Sequence, residues 1–274
     1  MPATEDLPLL LDPAVLADRL DDLALRVIDL SPGEVFREHH VPGAVHLPYG
    51  ELVTSRPPVG GLLPDDATLL RVLRAAGIGP GVRVVAMDAE GGGAAGRLMW
   101  TLDALGHEGT AILDGGLRAW IQEGFPLETG SGANPGSGTL EAAGERTKVR
   151  GAETIMERLG DDDFVCLDAR SAGEYDGTTV RAAHGGHIPG AAHYEWTRAM
   201  DPERNLRLRP LDDVRAELEA LGVTADREVV AYCHTHHRSA FSYALLRILG
   251  YPRAAGYPGS WSDWGNRDDT PVEP

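Results

Sequence analysis

The chain repeats itself once, and no other feature limits its fold so strongly. His40-Val41-Pro42-Gly43-Ala44-Val45-His46 returns as His187-Ile188-Pro189-Gly190-Ala191-Ala192-His193, 147 positions later. Before each copy stands a short apolar run that ends in aspartate, Leu25 to Asp29 and Phe164 to Asp168. Val84-Val85-Ala86-Met87-Asp88 matches Val229-Val230-Ala231-Tyr232-Cys233 at an offset of 145, and Leu113 to Trp120 matches Tyr257 to Trp264 at 144. Four landmarks in one order at nearly constant offset mark a duplicated domain, with units too long for a solenoid. Between the copies, Thr129 to Gly138 is rich in Gly, Ser and Pro, the composition of a flexible surface connection. The expected domains are 1–140 and 148–274.

Within each half, short apolar runs alternate with helical periodicity. Val84-Val85-Ala86 and Val229-Val230-Ala231 read as strands buried on both faces. Ser239 to Leu249 sets Phe241, Ala244, Leu245, Ile248 and Leu249 on one helical face and stops at Gly250. Leu211 to Leu221 turns Leu211, Val214, Leu218 and Leu221 inward and its acidic residues outward. The pattern predicts an α/β fold in which each half is a mostly parallel sheet flanked by helices. Ligands of such sheets bind beyond the carboxyl ends of the strands.

Composition serves mainly to exclude. Among 274 residues, 42 Asp and Glu oppose 25 Lys and Arg, a net charge of −17. That balance argues against nucleic acid or an anionic membrane surface as partner. No apolar run is long enough to span a membrane. Met1 to Asp12 carries acidic residues and no basic start, so a signal peptide is not expected. Two cysteines, Cys166 and Cys233, are too few for a disulfide framework and suit a reducing cytoplasm. A monomer is expected. Any site for an anion must be built locally.

The place for it is Tyr232-Cys233-His234-Thr235-His236-His237-Arg238-Ser239, between a strand and a helix. The free N–H groups and positive dipole at the helix start favour a thiolate at Cys233. Arg238 and any protonated histidine of the loop add positive charge. The thiolate is the nucleophilic form. A tight loop also aims several N–H groups at a single anionic atom. Cys166, inside its strand with no basic neighbour in sequence, reads as core. Asp88 holds the place of Cys233 in the first half, which marks that half as a non-catalytic duplicate. His40, His187, Asp29 and Asp168 occur in both halves and so read as turn-stabilising groups.

These residues together resemble the two-domain rhodaneses, the thiosulfate:cyanide and 3-mercaptopyruvate sulfurtransferases. The resemblance rests on the repeated His-Val/Ile-Pro-Gly-Ala segments, the single cysteine loop and Tyr257-Pro258-Gly259-Ser260-Trp261. It implies two tandem rhodanese-like domains and a ping-pong transfer: Cys233 takes the outer sulfur of thiosulfate, then passes it to cyanide or a thiol acceptor. It implies no metal or organic cofactor. Arg238, His234, Thr235, His236 and His237 become the expected substrate-binding loop. Arg170 and Trp196 are added to the substrate contacts, with a structural role open for each, and Arg181 stands in the same position. The sequence Thr-His-His-Arg is similar to the loop of bacterial thiosulfate sulfurtransferases, which makes 3-mercaptopyruvate the alternative donor. Glu174 stands where many members carry a substrate-binding arginine, which weakens the case for a carboxylate substrate.

Two other classes compete. Cysteine phosphatases of similar fold use Cys-x5-Arg, a cradle for a tetrahedral phosphate; here Arg238 follows Cys233 by only five positions. A metal-binding or sulfur-sensing module could use Cys233, His234, His236 and His237, but adjacent ligands on one short loop converge poorly on a tetrahedron.

Overall fold

A computed structural model describes residues 7–107, 109–142, 144 and 146–274. Residues 1–6, part of the segment judged for a signal peptide, lie outside the described residues. Strands run β1 (Leu10–Leu11), β2 (Leu25–Asp29), β3 (Val45–His46), β4 (Thr54–Arg56), β5 (Val59–Leu62), β6 (Arg83–Met87) and β7 (Thr110–Leu113). They continue as β8 (Phe164–Asp168), β9 (Ala192–His193), β10 (Met200–Asp201), β11 (Arg207–Leu208), β12 (Glu228–Tyr232) and β13 (Ala254–Gly256). The helices are α1 (Pro13–Ala17), α2 (Gly33–Glu38), α3 (Asp66–Ala75), α4 (Gly93–Ala104) and α5 (Gly116–Gln122). In the second half come α6 (Ala152–Arg158), α7 (Ala172–Tyr175), α8 (Leu211–Ala220), α9 (Arg238–Ile248) and α10 (Ser260–Trp264).

The chain forms two compact units, and neither is a single stretch of sequence. The first comprises Met1–Leu52, Asp65–Glu145 and Asp201–Arg207; the second comprises Val53–Pro64, Arg146–Met200 and Leu208–Pro274. The first unit holds a sheet in the order β1-β7-β6-β2-β3, with every pairing parallel. The second holds β13-β12-β8-β9, again all parallel. A parallel bridge from Val149 to Gly256 extends its edge where β1 stands in the first. Every residue of β8 and β12 is buried, as their continuous apolar runs require. Beneath β12 the core gathers Ile155, Phe164, Cys166, Val230, Trp261 and Trp264.

The repeated histidine motif is structural in both units. His40 Nδ1 donates to the Phe36 carbonyl at 2.7 Å, and its ring stacks 4.1 Å above Phe36. His187 Nδ1 donates to the Tyr175 carbonyl at 3.0 Å and stacks 3.7 Å from that ring. Each histidine exchanges a pair of backbone hydrogen bonds with a glutamate further on, His40 with Glu128 and His187 with Glu273. Those glutamates also accept from the motif glycines, Gly43 and Gly190.

Two expectations are corrected. Helix α8 buries Val214 and Leu218, but Leu221 is 42% exposed. The helix ends at Ala220, so Leu221 sits past the last turn and leaves the inward face. The Gly/Ser/Pro connection is not a free tether either. Gly130 N–H donates to Arg37 O, Ala133 N–H to Ala44 O and Gly138 N–H to Arg74 O, all within the first unit. Glycine is needed here for close approach: a side chain at Gly132 would meet the Phe36 ring at 2.5 Å, and one at Gly138 would overlap the Ile78 carbonyl. Gly138→Ala is therefore expected to lower the stability of the first unit by roughly 1–3 kcal/mol, read as a lower thermal midpoint, while Cys233 keeps its reactivity.

Candidate active site

Parallel pairing of β12 with β8 sets Tyr232 beside Asp168, and Cys233 is the first residue beyond that sheet edge. Two fixed points hold the loop that follows. Cys233 N–H donates to Ser260 Oγ at 3.2 Å, and the carbonyls of Cys233 and His234 accept from the Trp261 and Ser262 N–H groups at 3.0 and 2.9 Å. The Gly-Ser-Trp segment at the start of α10 thus clamps the front of the loop. On the other flank lies the hairpin β4–β5 of the same unit, where Gly60 N–H donates to Ser262 Oγ at 3.0 Å. A side chain on Gly61 (φ +69°) would overlap the Thr235 carbonyl oxygen, so only glycine lets the hairpin come this close.

With its carbonyls engaged outward, the loop turns donors toward the sulfur. The N–H groups of Thr235 and Ser239 and the Ser239 hydroxyl donate to Cys233 Sγ. Cys233 is only 1% exposed, and burial alone would raise its pKa. The Arg238 charge, together with those three donors, outweighs burial and brings the thiol below its ordinary range. Cys166 is the counterexample in the same unit. Burial, with Asp168 and Glu228 nearby, pushes its thiol far up, as expected of an inert core cysteine.

Arg238 is itself held. Its Nη1 and Nη2 donate to the two carboxylate oxygens of Glu174 at 2.6 and 2.9 Å, a bidentate pair. Glu174 is 3% exposed and closes a capping box with Ser171 at the start of α7. Burial opposes its charge, but the Arg238 contact prevails and holds the carboxyl down at about 2. Arg181 Nε stands 3.5 Å from the same carboxylate, with its side chain largely exposed.

The other expected residues divide. His234 is half-buried; burial lowers its pKa, and its Nδ1 has no hydrogen-bond partner among the described residues. His236 is fully buried and left-handed (φ +53°), with Nδ1 2.7 Å from Ser239 Oγ. His237 precedes α9, edge-on to Trp196 with ring centroids 6.2 Å apart. Trp196 also meets Phe241 of α9 edge-on at 5.8 Å, so it packs against the helix that begins the site. Arg170 is not brought to the loop. It is 1% exposed, with its guanidinium taken up by Asp168 at 2.6–3.0 Å and by the Gly186 carbonyl at 2.8 Å, and it stacks over the Trp261 ring. An arginine two residues after a buried aspartate neutralises that aspartate rather than facing solvent. Ser239, a donor to the sulfur, was not among the expected site residues; its place on the first turn after an anion loop was the available signal. Among the described residues, no group of three or more His, Cys, Asp or Glu is placed to hold a metal ion.

The first unit carries the same loop around a different anion. Asp88 replaces the cysteine, and its carboxylate accepts from the N–H groups of Glu90, Gly92 and Ala95 at 2.8–2.9 Å. Its carbonyl accepts from Leu117 N–H, as that of Cys233 does from Trp261. The Rhodanese-like domain pattern matches residues 12–123 and again 151–267. The chain belongs to the rhodanese family. Over 273 residues and the full length of both chains it is 44% identical to the thiosulfate sulfurtransferase of Pseudomonas aeruginosa. It is 43% identical to that of Azotobacter vinelandii, over 97% of each chain. A 3-mercaptopyruvate sulfurtransferase of Escherichia coli is 30% identical over 94% of this chain and 95% of its own. The crystal structure of an E. coli 3-mercaptopyruvate sulfotransferase superposes with a TM-score of 0.80 at 25% identity, covering 93% of this chain and 99% of that one.

Two substitutions test how this rhodanese site is held. Glu174→Gln is expected to cost roughly 1–3 kcal/mol at neutral pH, because Arg238 loses its charged partner. The folded carboxyl titrates below the ordinary glutamate value of about 4.3, so the pair's contribution is complete above that value and fades as pH falls towards about 2. Thermal midpoints of the two proteins should accordingly converge across that window. Gly61→Ala is expected to slow alkylation of Cys233 by roughly tenfold at neutral pH, because it shifts Thr235 and one of the three donors to the sulfur.

Proposed function

We infer that this rhodanese is a thiosulfate sulfurtransferase whose second half carries the chemistry on Cys233. The observation that carries the reading is the anionic sulfur site itself: a buried thiol below its ordinary pKa, facing two backbone N–H groups, one hydroxyl and the Arg238 charge. The Cys233 thiolate attacks the outer sulfur of thiosulfate, the sulfur–sulfur bond of the donor breaks, and sulfite leaves with the electron pair. The persulfide left on Cys233 then passes its outer sulfur to cyanide or a thiolate acceptor, which restores the starting thiolate. Splitting the exchange in two is what covalent catalysis contributes. The fixed donors favour the anion without reorganising during the reaction.

Thiosulfate is favoured as donor over 3-mercaptopyruvate by Glu174. Glu174 stands where many members of the family carry a substrate-binding arginine, so the guanidinium fork that would grip an organic carboxylate is missing at that position. The 43–44% identity to two thiosulfate sulfurtransferases supports the same choice. A phosphatase is disfavoured because Arg238 is committed to Glu174 and follows Cys233 by one position too few. His234, Thr235, His237 and Trp196 form the surroundings of the substrate, and the first half, with Asp88 in place of the thiol, is non-catalytic. The protein acts as a cytoplasmic monomer in this reading. Among the described residues no helix is long and apolar enough to cross a membrane.

Incubation with thiosulfate is expected to add one sulfur to the wild-type protein by intact mass spectrometry, removable by cyanide, and none to Cys233→Ala. An equally stable adduct on that variant would refute the site. In steady state, kcat/KM for thiosulfate should exceed that for 3-mercaptopyruvate by roughly tenfold or more; the reverse ratio would reassign the donor.

A further inference from the structure

We propose that Ser239 is a catalytic residue of this chain, its hydroxyl bonded to the reacting sulfur and aimed there by His236. The assignment rests on Cys233 being the sulfur-carrying nucleophile. His236 and Ser239 are both fully buried, and Nδ1 of the histidine lies 2.7 Å from Oγ of the serine. The hydroxyl has a single proton. It cannot serve the thiolate and the imidazole at once, and a thiolate has no proton to give back. The chain of bonds therefore has one direction: His236 Nδ1–H donates to Ser239 Oγ, and Ser239 Oγ–H donates to Cys233 Sγ.

The duplicated unit supplies an independent comparison. At the same offset of 145, His236 corresponds to Gly91 and Ser239 to Ala94. Neither residue has a side chain that could form such a relay, and the anion there is the Asp88 carboxylate, served by backbone N–H groups. Gly91 adopts a positive φ of 104°, which glycine does freely; His236 adopts +53°, which costs a residue with a Cβ of the order of 1 kcal/mol. At this loop position only the unit with the thiol accepts that strain, and there the strained residue sets its ring nitrogen beside Ser239.

The chemistry this pair serves is the discharge step. As the acceptor bonds to the outer sulfur, the bond from that sulfur to Sγ breaks and its electron pair returns to Sγ. No proton moves; the Ser239 hydroxyl meets the negative charge as it forms. In the loading step the charge leaves Sγ instead, so the hydroxyl gives no assistance there. The other charged group that acts on the sulfur is Arg238 at the start of α9, itself in the field of Glu174 and Asp168, while His234 of the loop lies in the field of Glu174, Arg238, Arg181 and Arg170. The variants below leave all of them in place.

The test uses the full-length protein, resting and free of donor, in four forms: wild type, Ser239→Ala, His236→Asn and His236→Gly. Asparagine and glycine both accept a positive φ, but only asparagine offers an N–H near the position of Nδ1. Iodoacetamide alkylation of Cys233 against pH is expected to shift upward by about one unit in Ser239→Ala and His236→Gly, and to stay at the wild-type midpoint in His236→Asn. Discharge of the thiosulfate-loaded persulfide by cyanide should be roughly tenfold slower in Ser239→Ala, with loading per thiolate unchanged. A wild-type profile in Ser239→Ala overturns the role of the hydroxyl, and equal profiles for His236→Asn and His236→Gly overturn the role of the histidine. Should Ser239→Ala fail to fold, Ser239→Thr keeps the hydroxyl and must retain the wild-type midpoint. Absence of any added sulfur on wild-type Cys233 would instead refute the sulfurtransferase reading, and the alkylation profiles, which need no donor, would still decide the relay.

Discussion

A negative charge held at the end of a strand by the amides of the next loop is what both units are built around. In one the group at that place is the Asp88 carboxylate, in the other the Cys233 thiol, whose ionised form the loop donors favour. Burying an anion is costly unless donors replace the lost water. The strand end and helix start meet that demand with backbone N–H groups that no helical carbonyl claims. The carbonyls of the loop must then find partners elsewhere, and they do, in the N–H groups of Leu117 in one unit and Trp261 and Ser262 in the other. Exchanging a carboxylate for a thiol therefore changes the chemistry of the loop and leaves its scaffold alone.

The overall charge of −17 makes the neighbourhood of Cys233 more unusual than the loop itself. Arg238 would be drawn to any of many carboxylates, and Glu174, fixed by its cap on Ser171, claims it in one defined geometry. That pairing leaves a directed positive charge beside the sulfur without a free cation to collect random anions. Arg170 shows the opposite outcome. It is more deeply buried, its aspartate partner and a carbonyl absorb its donors, and its plane contributes packing against Trp261.

Much of this was legible in the residues alone, for physical reasons that also mark where legibility stops. Continuous apolar runs at Val84 and Val229 and the Gly250 stop beyond α9 are local signals, and the elements form where they point. The thiol loop was equally visible, because Cys233 is absent from the duplicate. Leu221 misled because periodicity does not say where a helix ends. Arg170 misled because its partner is decided by the twist of a short turn, which a string of letters does not display. The glycine-rich connection looked loose, and its ordering depends on carbonyls of Arg37, Ala44 and Arg74, far from it in sequence. Ser239 escaped notice since a serine in the first turn of a helix is commonplace; its bonds to the Cys233 sulfur and its distance to His236 distinguish it.

The exchange of segments between the units has a consequence for how the protein comes into being. Asp201–Arg207 belongs to the first unit, where Arg207 pairs with Asp12, Asp114 and Glu123. Val53–Pro64, made early, belongs to the second, beside a loop made near the end of synthesis. The nascent chain must therefore carry an unsatisfied hairpin through the translation of some 170 further residues before Thr235, and nearly 200 before Ser262, emerges to receive it. Nor does the ribosome's release of residue 145 complete the first unit, which waits for the seven-residue segment that begins at Asp201. Duplication produced two domains by sequence, yet neither can be finished, or cut away intact, without part of the other's length of chain.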